Sequence, residues 1–148
     1  MFIFESALQT LKKYADFKSR ASRDEFWCFF AFLIIANAVA SLVGLLLGFG
    51  PALAGIIAAL LVIPQLAVAV RRLHDLGKSG RELVVPCLML LAVPLAFAFR
   101  GILPKIVALG FLGITLLVFA NLLTLFVKKG SSVPNRYGAA PKAFSFAR

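Results

Sequence analysis

Charged residues are absent from a long stretch of this sequence. No Asp, Glu, Lys or Arg occurs from residue 26 to residue 70, a run of 45 residues. A helix crosses the hydrocarbon core of a bilayer with about 20 apolar residues, so the run is long enough for two crossings. The missing charge excludes an ordinary soluble domain, in agreement with 61% apolar residues and a mean hydropathy of +0.97.

Other absences narrow the function. The apolar segments contain no Asp, Glu, Lys, Arg or His, which argues against a proton-coupled or ion-coupled transporter. The sequence has no P-loop, HExxH, CxxC pair or GxGxxG motif, so it predicts no cofactor and no metal site. Cys28 and Cys87 are predicted to be small buried thiols rather than a disulfide. A net charge of +10 suggests nucleic acid in a soluble protein, but its placement here indicates membrane topology and no nucleic-acid partner.

The apolar runs show no alternation with polar residues, which favours helices over a closed barrel. We therefore expect an all-α integral membrane protein with a single membrane domain over residues 1–148. The predicted architecture is a bundle of four transmembrane helices with a short N-terminal amphipathic interfacial helix. The interfacial helix is predicted at 5–15, the spans at about 25–48, 52–70 continuing to 76, 83–99 and 106–127, and a cytoplasmic tail at 128–148.

Basic residues are unevenly distributed between the loops. Two of them, Arg100 and Lys105, lie between the third and fourth predicted spans. The remaining fourteen precede the first span, fill the central loop or follow the last span, and with four spans all of these fall on one side. The positive-inside rule then places both termini and the central loop in the cytoplasm.

Local signals mark the predicted helix ends and one packing face. Two capping boxes, beginning at Ser22 and Ser79, precede the first and third spans, and Gly77 is placed to end the second. A stripe of small residues at a spacing of four predicts close helix packing in the first span. Its members are Ala36, Ala40, Gly44 and Gly48. The packing partner is either another span of this chain or a second subunit.

Polar chemistry is concentrated at the predicted cytoplasmic face. We interpret one set of residues there as a site for anionic lipid headgroups or an acidic partner, because arginine binds phosphate and carboxylate in a bidentate manner. The set comprises Arg20, Arg23, Arg71, Arg72, His74, Asp75 and Arg136. Snorkelling arginines and a local ion pair explain the same residues without a ligand, and catalysis by His74 with Asp75 on a phosphate-bearing lipid is a further alternative.

Three blocks of residues together carry a resemblance. The first contains Arg20, Arg23 and Phe26-Trp27, the second is Arg71-Arg72-Leu73-His74-Asp75, and the third is Asn135-Arg136-Tyr137-Gly138. In this order they resemble the bacterial inner-membrane family known as domain of unknown function 805. The resemblance implies about four helices with the blocks on the cytoplasmic side, and it implies no activity. In this sequence Ser19 replaces a usual Gly, and Arg81-Glu82 replace usual aromatics.

The resulting hypothesis is a small, non-enzymatic inner-membrane protein whose arginine-rich face binds anionic headgroups or an acidic partner. Membrane lipids are the expected partners, with a homo-oligomer or another membrane protein as further options. A small oligomeric channel or transport subunit is an alternative function, suggested by the small-residue stripe and by Pro86 and Pro94 in the third span.

Overall fold

A computed structural model describes residues 2–98 and 101–141, and its regular secondary structure in these ranges is helical. Five α-helices follow one another: α1 (Phe2–Lys12), α2 (Arg23–Leu46), α3 (Ala52–Asp75), α4 (Val84–Ala98) and α5 (Ile102–Val127). A short 3₁₀ turn over Gly80–Leu83 leads into α4. The prediction of an all-helical protein is confirmed.

Three helices, α2, α3 and α5, are long and apolar enough to cross a membrane. The predicted span at 83–99 corresponds to α4, which has 15 residues within the described part of the chain. At 1.5 Å per residue α4 measures about 22 Å, which is shorter than a hydrocarbon core of about 30 Å. Residue 99, the predicted end of that span, and residues 142–148 of the predicted tail lie outside the described residues. The α5 helix begins four residues earlier than the predicted 106, because Pro104 fits the first helical turn, where no intrahelical N–H is needed.

Helices α2 and α3 form a hairpin. The α2 helix starts where the Ser22 hydroxyl accepts the backbone N–H of Glu25 at 3.1 Å, as the predicted cap requires. It ends at Leu46, and the turn that follows uses left-handed backbone at Gly48 (φ 77°) and Gly50 (φ 56°). The helix therefore ends two residues before residue 48, the predicted end of the first span.

The small-residue stripe lies partly inside this hairpin. A Cβ atom added at Gly44 would overlap the carbonyl oxygen of Gly50, so the turn can pack against α2 only because residue 44 is glycine. Ala40 is buried and Ala36 is half-buried, whereas Gly48 lies beyond the helix and is exposed. These contacts are within the chain.

A proline inside α3 is compensated from the N-terminal region. Pro64 has no N–H, so the carbonyl of Leu60, four residues earlier, lacks its helical donor. The Tyr14 hydroxyl donates to that carbonyl at 2.6 Å. In an apolar environment a backbone carbonyl must find a partner within the protein, and Tyr14 provides one.

The α1 helix packs on α2, and its bounds differ from the predicted 5–15. Its buried side is formed by Ser6, Ala7 and Thr10, whereas Leu8 is 44% exposed. The helix ends at Lys12, so residues 13–15 of the predicted helix lie outside it. The inward face of α1 is thus small and partly polar.

Candidate functional site: a buried arginine cluster

The C-terminal end of α3 carries the most buried charge of the described protein. Arg71 and Arg72 are both 0% exposed and are the two largest fully buried side chains among the described residues. The helix ends in a Schellman motif, in which Lys78 N–H donates to the Leu73 carbonyl at 2.9 Å and Gly77 has a φ of 71°. This closure turns the chain sharply away and leaves the last helical turn accessible to other segments.

One carboxylate is shared by two guanidinium groups. Arg20 donates to Asp75 Oδ1 through Nε at 3.1 Å and through Nη2 at 2.8 Å. Arg72 Nη1 donates to Asp75 Oδ2. Arg20, Arg72 and Asp75 are each at most 5% exposed. Two buried cations facing one anion leave one positive charge to be compensated.

Backbone carbonyls supply that compensation. Arg72 donates to the Phe126 carbonyl through Nε at 3.4 Å and Nη2 at 3.3 Å, and also to the carbonyl of Lys128. These groups belong to the C-terminal end of α5, where carbonyls lack helical partners and carry a partial negative charge. A planar guanidinium with five donors suits this task, and lysine could not reproduce it.

Arg20 binds the tail in the same way. It donates to the carbonyls of Val133 at 3.0 Å and Gly138 at 3.2 Å, and also to that of Ser131. In return Ser131 N–H donates to the Asp75 carbonyl at 3.1 Å. A Cβ atom at Gly130 would overlap the Asp75 carboxylate. The tail after α5 is therefore held directly against the end of α3.

Arg71 has a separate partner. Its Nη1 donates to Glu25 Oε1 at 2.6 Å, and Thr10 Oγ1 lies 3.5 Å from the same oxygen. The Arg71 carbonyl accepts the N–H of Ala21 at 3.1 Å. The Nε and Nη2 atoms of Arg71 have no hydrogen-bond partner within residues 2–98 and 101–141. This pair ties α1 and the start of α2 to α3.

His74 is packed against the tail motif. Its ring stacks on Tyr137 with centroids 3.7 Å apart and an interplanar angle of 4°, and its Nδ1 lies 3.3 Å from the Ser19 carbonyl. A nitrogen facing a carbonyl acts as a donor, so Nδ1 carries the proton. Asn135 Nδ2 donates to the His74 carbonyl at 2.9 Å. His74 therefore contacts a carbonyl and an aromatic ring, while the carboxylate of Asp75 faces Arg20 and Arg72.

The loop that carries Arg20 is organised by a short acidic turn. Asp16 accepts the N–H groups of Lys18 at 2.9 Å and Ser19 at 3.2 Å, and also the Ser19 hydroxyl. Burial raises the pKa of Asp16, but these hydrogen bonds and the positive charge of Arg71 outweigh it and lower the pKa to about 2. The ionised carboxylate holds the turn ahead of Arg20.

The structure places the seven predicted site residues in two groups. Arg20, Arg71, Arg72, His74 and Asp75 are buried together, and their contacts are described above. The other two, Arg23 and Arg136, are exposed at the edge of this group. Arg23 Nη1 lies 3.5 Å from the Val127 carbonyl, and Arg136 donates to the Gly77 carbonyl at 3.1 Å.

Sequence reasoning missed several members of the cluster. Glu25 was assigned to a capping box, but its side chain binds Arg71 instead of the backbone at Ser22. Asn135 and Tyr137 were noted only within the third block of the resemblance. The joint presence of the three blocks was the signal that could have placed them beside α3, because the cluster is built from all three.

The fold and this cluster define a class: an α-helical integral membrane protein with buried charge at one end of its helices. The family described as "Protein of unknown function (DUF805)" matches residues 14–139, and the chain belongs to this family.

The chain is 34% identical over 137 residues to inner membrane protein YhaI of Escherichia coli strain K12, covering 91% of this chain and 93% of that protein. It is 39% identical over 78 residues to inner membrane protein YhaH of the same strain, covering 49% of this chain and 64% of YhaH. No solved structure matches the chain. The predictions of the family and of an inner-membrane protein are confirmed.

Proposed function

We propose that the protein crosses the inner membrane four times, with both termini in the cytoplasm. The hydrogen bonds from Arg72 to the Phe126 carbonyl bring the C-terminal ends of α3 and α5 together. The chain between them must therefore lead away and return. The α5 helix has 26 residues, about 39 Å, which is enough for the return crossing, so α4 and its flanking residues provide the outward crossing. The excess of basic residues at the α3 end supports a cytoplasmic position.

At that face the protein binds the headgroups of anionic phospholipids. The observation that carries this proposal is which basic residues form ion pairs with the acidic residues. Glu25 and Asp75 face buried arginines, and Glu82 is 3.0 Å from Lys78. None of the ion pairs in the described part of the chain involves the exposed basic side chains around the cluster. They are Lys18, Arg23, Lys128, Lys129 and Arg136.

The buried and exposed members of the predicted site have different roles in this proposal. Arg20, Arg71, Arg72, His74 and Asp75 hold the N-terminal loop, the end of α3 and the tail in one arrangement. Arg23 and Arg136 lie at its edge with the exposed lysines, and these side chains contact the headgroups. A basic residue near an anionic surface contributes about 1 kcal/mol of attraction, so several together retain lipid at the face without any one being essential.

The test compares two charge-matched double variants. Protein in nanodiscs that contain equal amounts of phosphatidylglycerol and phosphatidylcholine is released and its bound lipid is measured by native mass spectrometry. Arg23→Gln with Lys128→Gln should reduce the preference for phosphatidylglycerol by about thirtyfold, since two charges that each contribute about 1 kcal/mol are lost. Arg100→Gln with Lys105→Gln removes the same charge on the proposed opposite side of the membrane and should leave this cytoplasmic-face preference intact.

Equal lipid preference in the two double variants would contradict the proposed site. Neither variant alters the Arg20–Asp75–Arg72 contacts, so unfolding is not the expected reason for a loss. Thermal unfolding of each variant in the same nanodiscs checks this directly.

A further inference from the structure

A cavity lies between the helices, within their apolar length. It measures about 380 Å³ and is bounded by side chains of α2, α3, α4 and α5. Among them are Phe26 and Phe30 of α2, Gln65 of α3, Cys87 of α4, and Phe119 and Phe126 of α5. Three further lining residues, Val62, Leu90 and Leu123, are between 44% and 53% exposed on the outer surface, so the cavity opens toward the lipid there.

One polar group stands out in this apolar lining. The Oε1 atom of Gln65 is buried and has no hydrogen-bond partner in the part of the chain that the structure describes. Gln65 precedes Asp75 by ten residues on α3, which places it about 15 Å below the charged cluster and near the middle of the bilayer. A buried acceptor without a donor is costly in such surroundings. Gln65 belongs to the cavity lining, so rotation of its side chain turns this unsatisfied acceptor toward the cavity.

The size and the walls of the cavity restrict the ligand. An apolar cavity of about 150 Å³ stays dry and binds benzene, so 380 Å³ accommodates a substituted ring with the first part of an attached chain. Four phenylalanines in the lining favour an aromatic ring through edge and offset contacts. The opening toward lipid leaves an exit for an apolar tail. The free Gln65 oxygen requires that the ring carry a donor.

We propose that this cavity binds a lipid-soluble phenol or hydroquinone, with the ring among the phenylalanines and a hydroxyl group donating to Gln65 Oε1. The site is distinct from the proposed headgroup site in position and in chemistry. It involves none of the charged residues at the cytoplasmic face, and its failure would leave the headgroup proposal unaffected.

The protein contains its own reporter for this site. Trp27 is the single tryptophan, and its ring lies 5.3 Å from that of Phe26 and 5.8 Å from that of Phe30, which both line the cavity. Bromine quenches indole fluorescence at short range. A brominated ring inside the cavity should therefore quench Trp27 in a saturable manner, whereas one dissolved in the bilayer quenches in proportion to its concentration.

The experiment titrates 4-bromophenol and bromobenzene into the full-length protein in phosphatidylcholine nanodiscs. Half-saturation should need about fivefold less 4-bromophenol than bromobenzene after correction for partitioning, as expected for one hydrogen bond. Gln65→Leu should abolish this preference while bromobenzene still binds. Ala69→Leu or Cys87→Phe, which add volume to the lining, should abolish saturation for both compounds.

Three outcomes would overturn the proposal: quenching that never saturates, saturation without a preference for the phenol, or a preference that persists in Gln65→Leu. Thermal unfolding identifies a variant that fails to fold. The two volume variants alter different helices, α3 and α4, so one folded variant of the pair is sufficient for the test.

Discussion

The apolar length of α3 and its C-terminal end differ in which side chains are buried. In the most apolar segment of α3, 22% of the residues are buried inside the protein. The corresponding share in α2 and in α5 is 17%. At its C-terminal end all five residues from Arg71 to Asp75 are buried. Side chains that a soluble protein would expose are inside here, and leucines and isoleucines face outward.

The physical reason is that lipid is the solvent for most of the chain. An apolar side chain gains little by moving from lipid tails to a protein neighbour, so apolar contacts distinguish poorly between helix arrangements. Charged groups and carbonyls at the end of α3 do distinguish, because each needs a specific partner once it leaves water. We infer that the cluster determines how the helices and the tail are arranged.

The largest effect is expected for Asp75→Asn. This change leaves Arg20 and Arg72 buried without their shared anion, and breaking a buried ion pair from one side costs about 3–5 kcal/mol. The free energy of unfolding, measured by titration with denaturing detergent, should fall by that amount. Limited proteolysis should cleave the released tail near Ser131.

The control for this prediction is Glu82→Gln, which removes an exposed partner of Lys78. Exposed pairs contribute between about 0 and 1 kcal/mol, so the control should remain close to the parent protein. Similar losses in the two variants would mean that the buried cluster has no special role, and the comparison between the two regions would fail.

A smaller effect is expected for Gly130→Ala. The added methyl group overlaps the Asp75 carboxylate, so the tail must move, at a cost of about 1–3 kcal/mol for an overpacked contact. Gly110→Ala in α5 is the matched control, because a Cβ there meets nothing within 4 Å and alanine favours a helix. In the same unfolding assay, Gly130→Ala should lower the free energy of unfolding and Gly110→Ala should raise it. This result would sharpen the contrast between the charged cluster and the apolar region. A neutral Gly130→Ala would contradict the close contact.

The amino-acid sequence was sufficient for the helical class, the membrane setting and several helix ends. Ser22 caps α2 and Gly77 closes α3 as predicted, since these signals act over a few residues. Polar residues inside the apolar segments were harder to interpret. Asn37 in α2, for example, donates to the Leu33 carbonyl of its own helix at 3.0 Å, which satisfies the amide locally.

The internal partners of the arginines could not be predicted in the same way. Arg20 and Asp75 are 55 residues apart, and the Gly138 carbonyl is 118 residues from Arg20. Backbone carbonyls leave no mark in a sequence, so a guanidinium that binds them looks the same as one that awaits a phosphate. Arginine rather than lysine occupies these positions. The structure provides a reason within the protein, because Arg20 and Arg72 each donate several hydrogen bonds at once.

Tyr14→Phe tests the apolar region itself. It removes the hydroxyl that satisfies the Leu60 carbonyl left free by Pro64, and an unsatisfied buried carbonyl costs about 1–3 kcal/mol. We expect a loss near 1 kcal/mol, because Tyr14 is 38% exposed. Tyr137→Phe is the control, since the Tyr137 hydroxyl makes no hydrogen bond within the described residues. A loss larger than that of Asp75→Asn would show that one backbone bond in the apolar region outweighs the charged cluster.

The smallest effect is expected for Asp16→Asn, and its dependence on pH is the informative part. The pKa of Asp16 is lowered to about 2, so its ionised form stabilises the fold above its ordinary pKa of about 4, and this contribution is lost as the pH falls through 2. Because the site is partly exposed, the difference in unfolding free energy at pH 7 should stay below about 1 kcal/mol. It should shrink further as the pH falls through 2 and vanish below that, where the Asp16 carboxyl is protonated and both side chains are uncharged. Comparison of the two proteins at each pH cancels every effect that they share, so the difference between them isolates Asp16. A difference that grows on acidification would show that the turn ahead of Arg20 does not depend on the charge of Asp16.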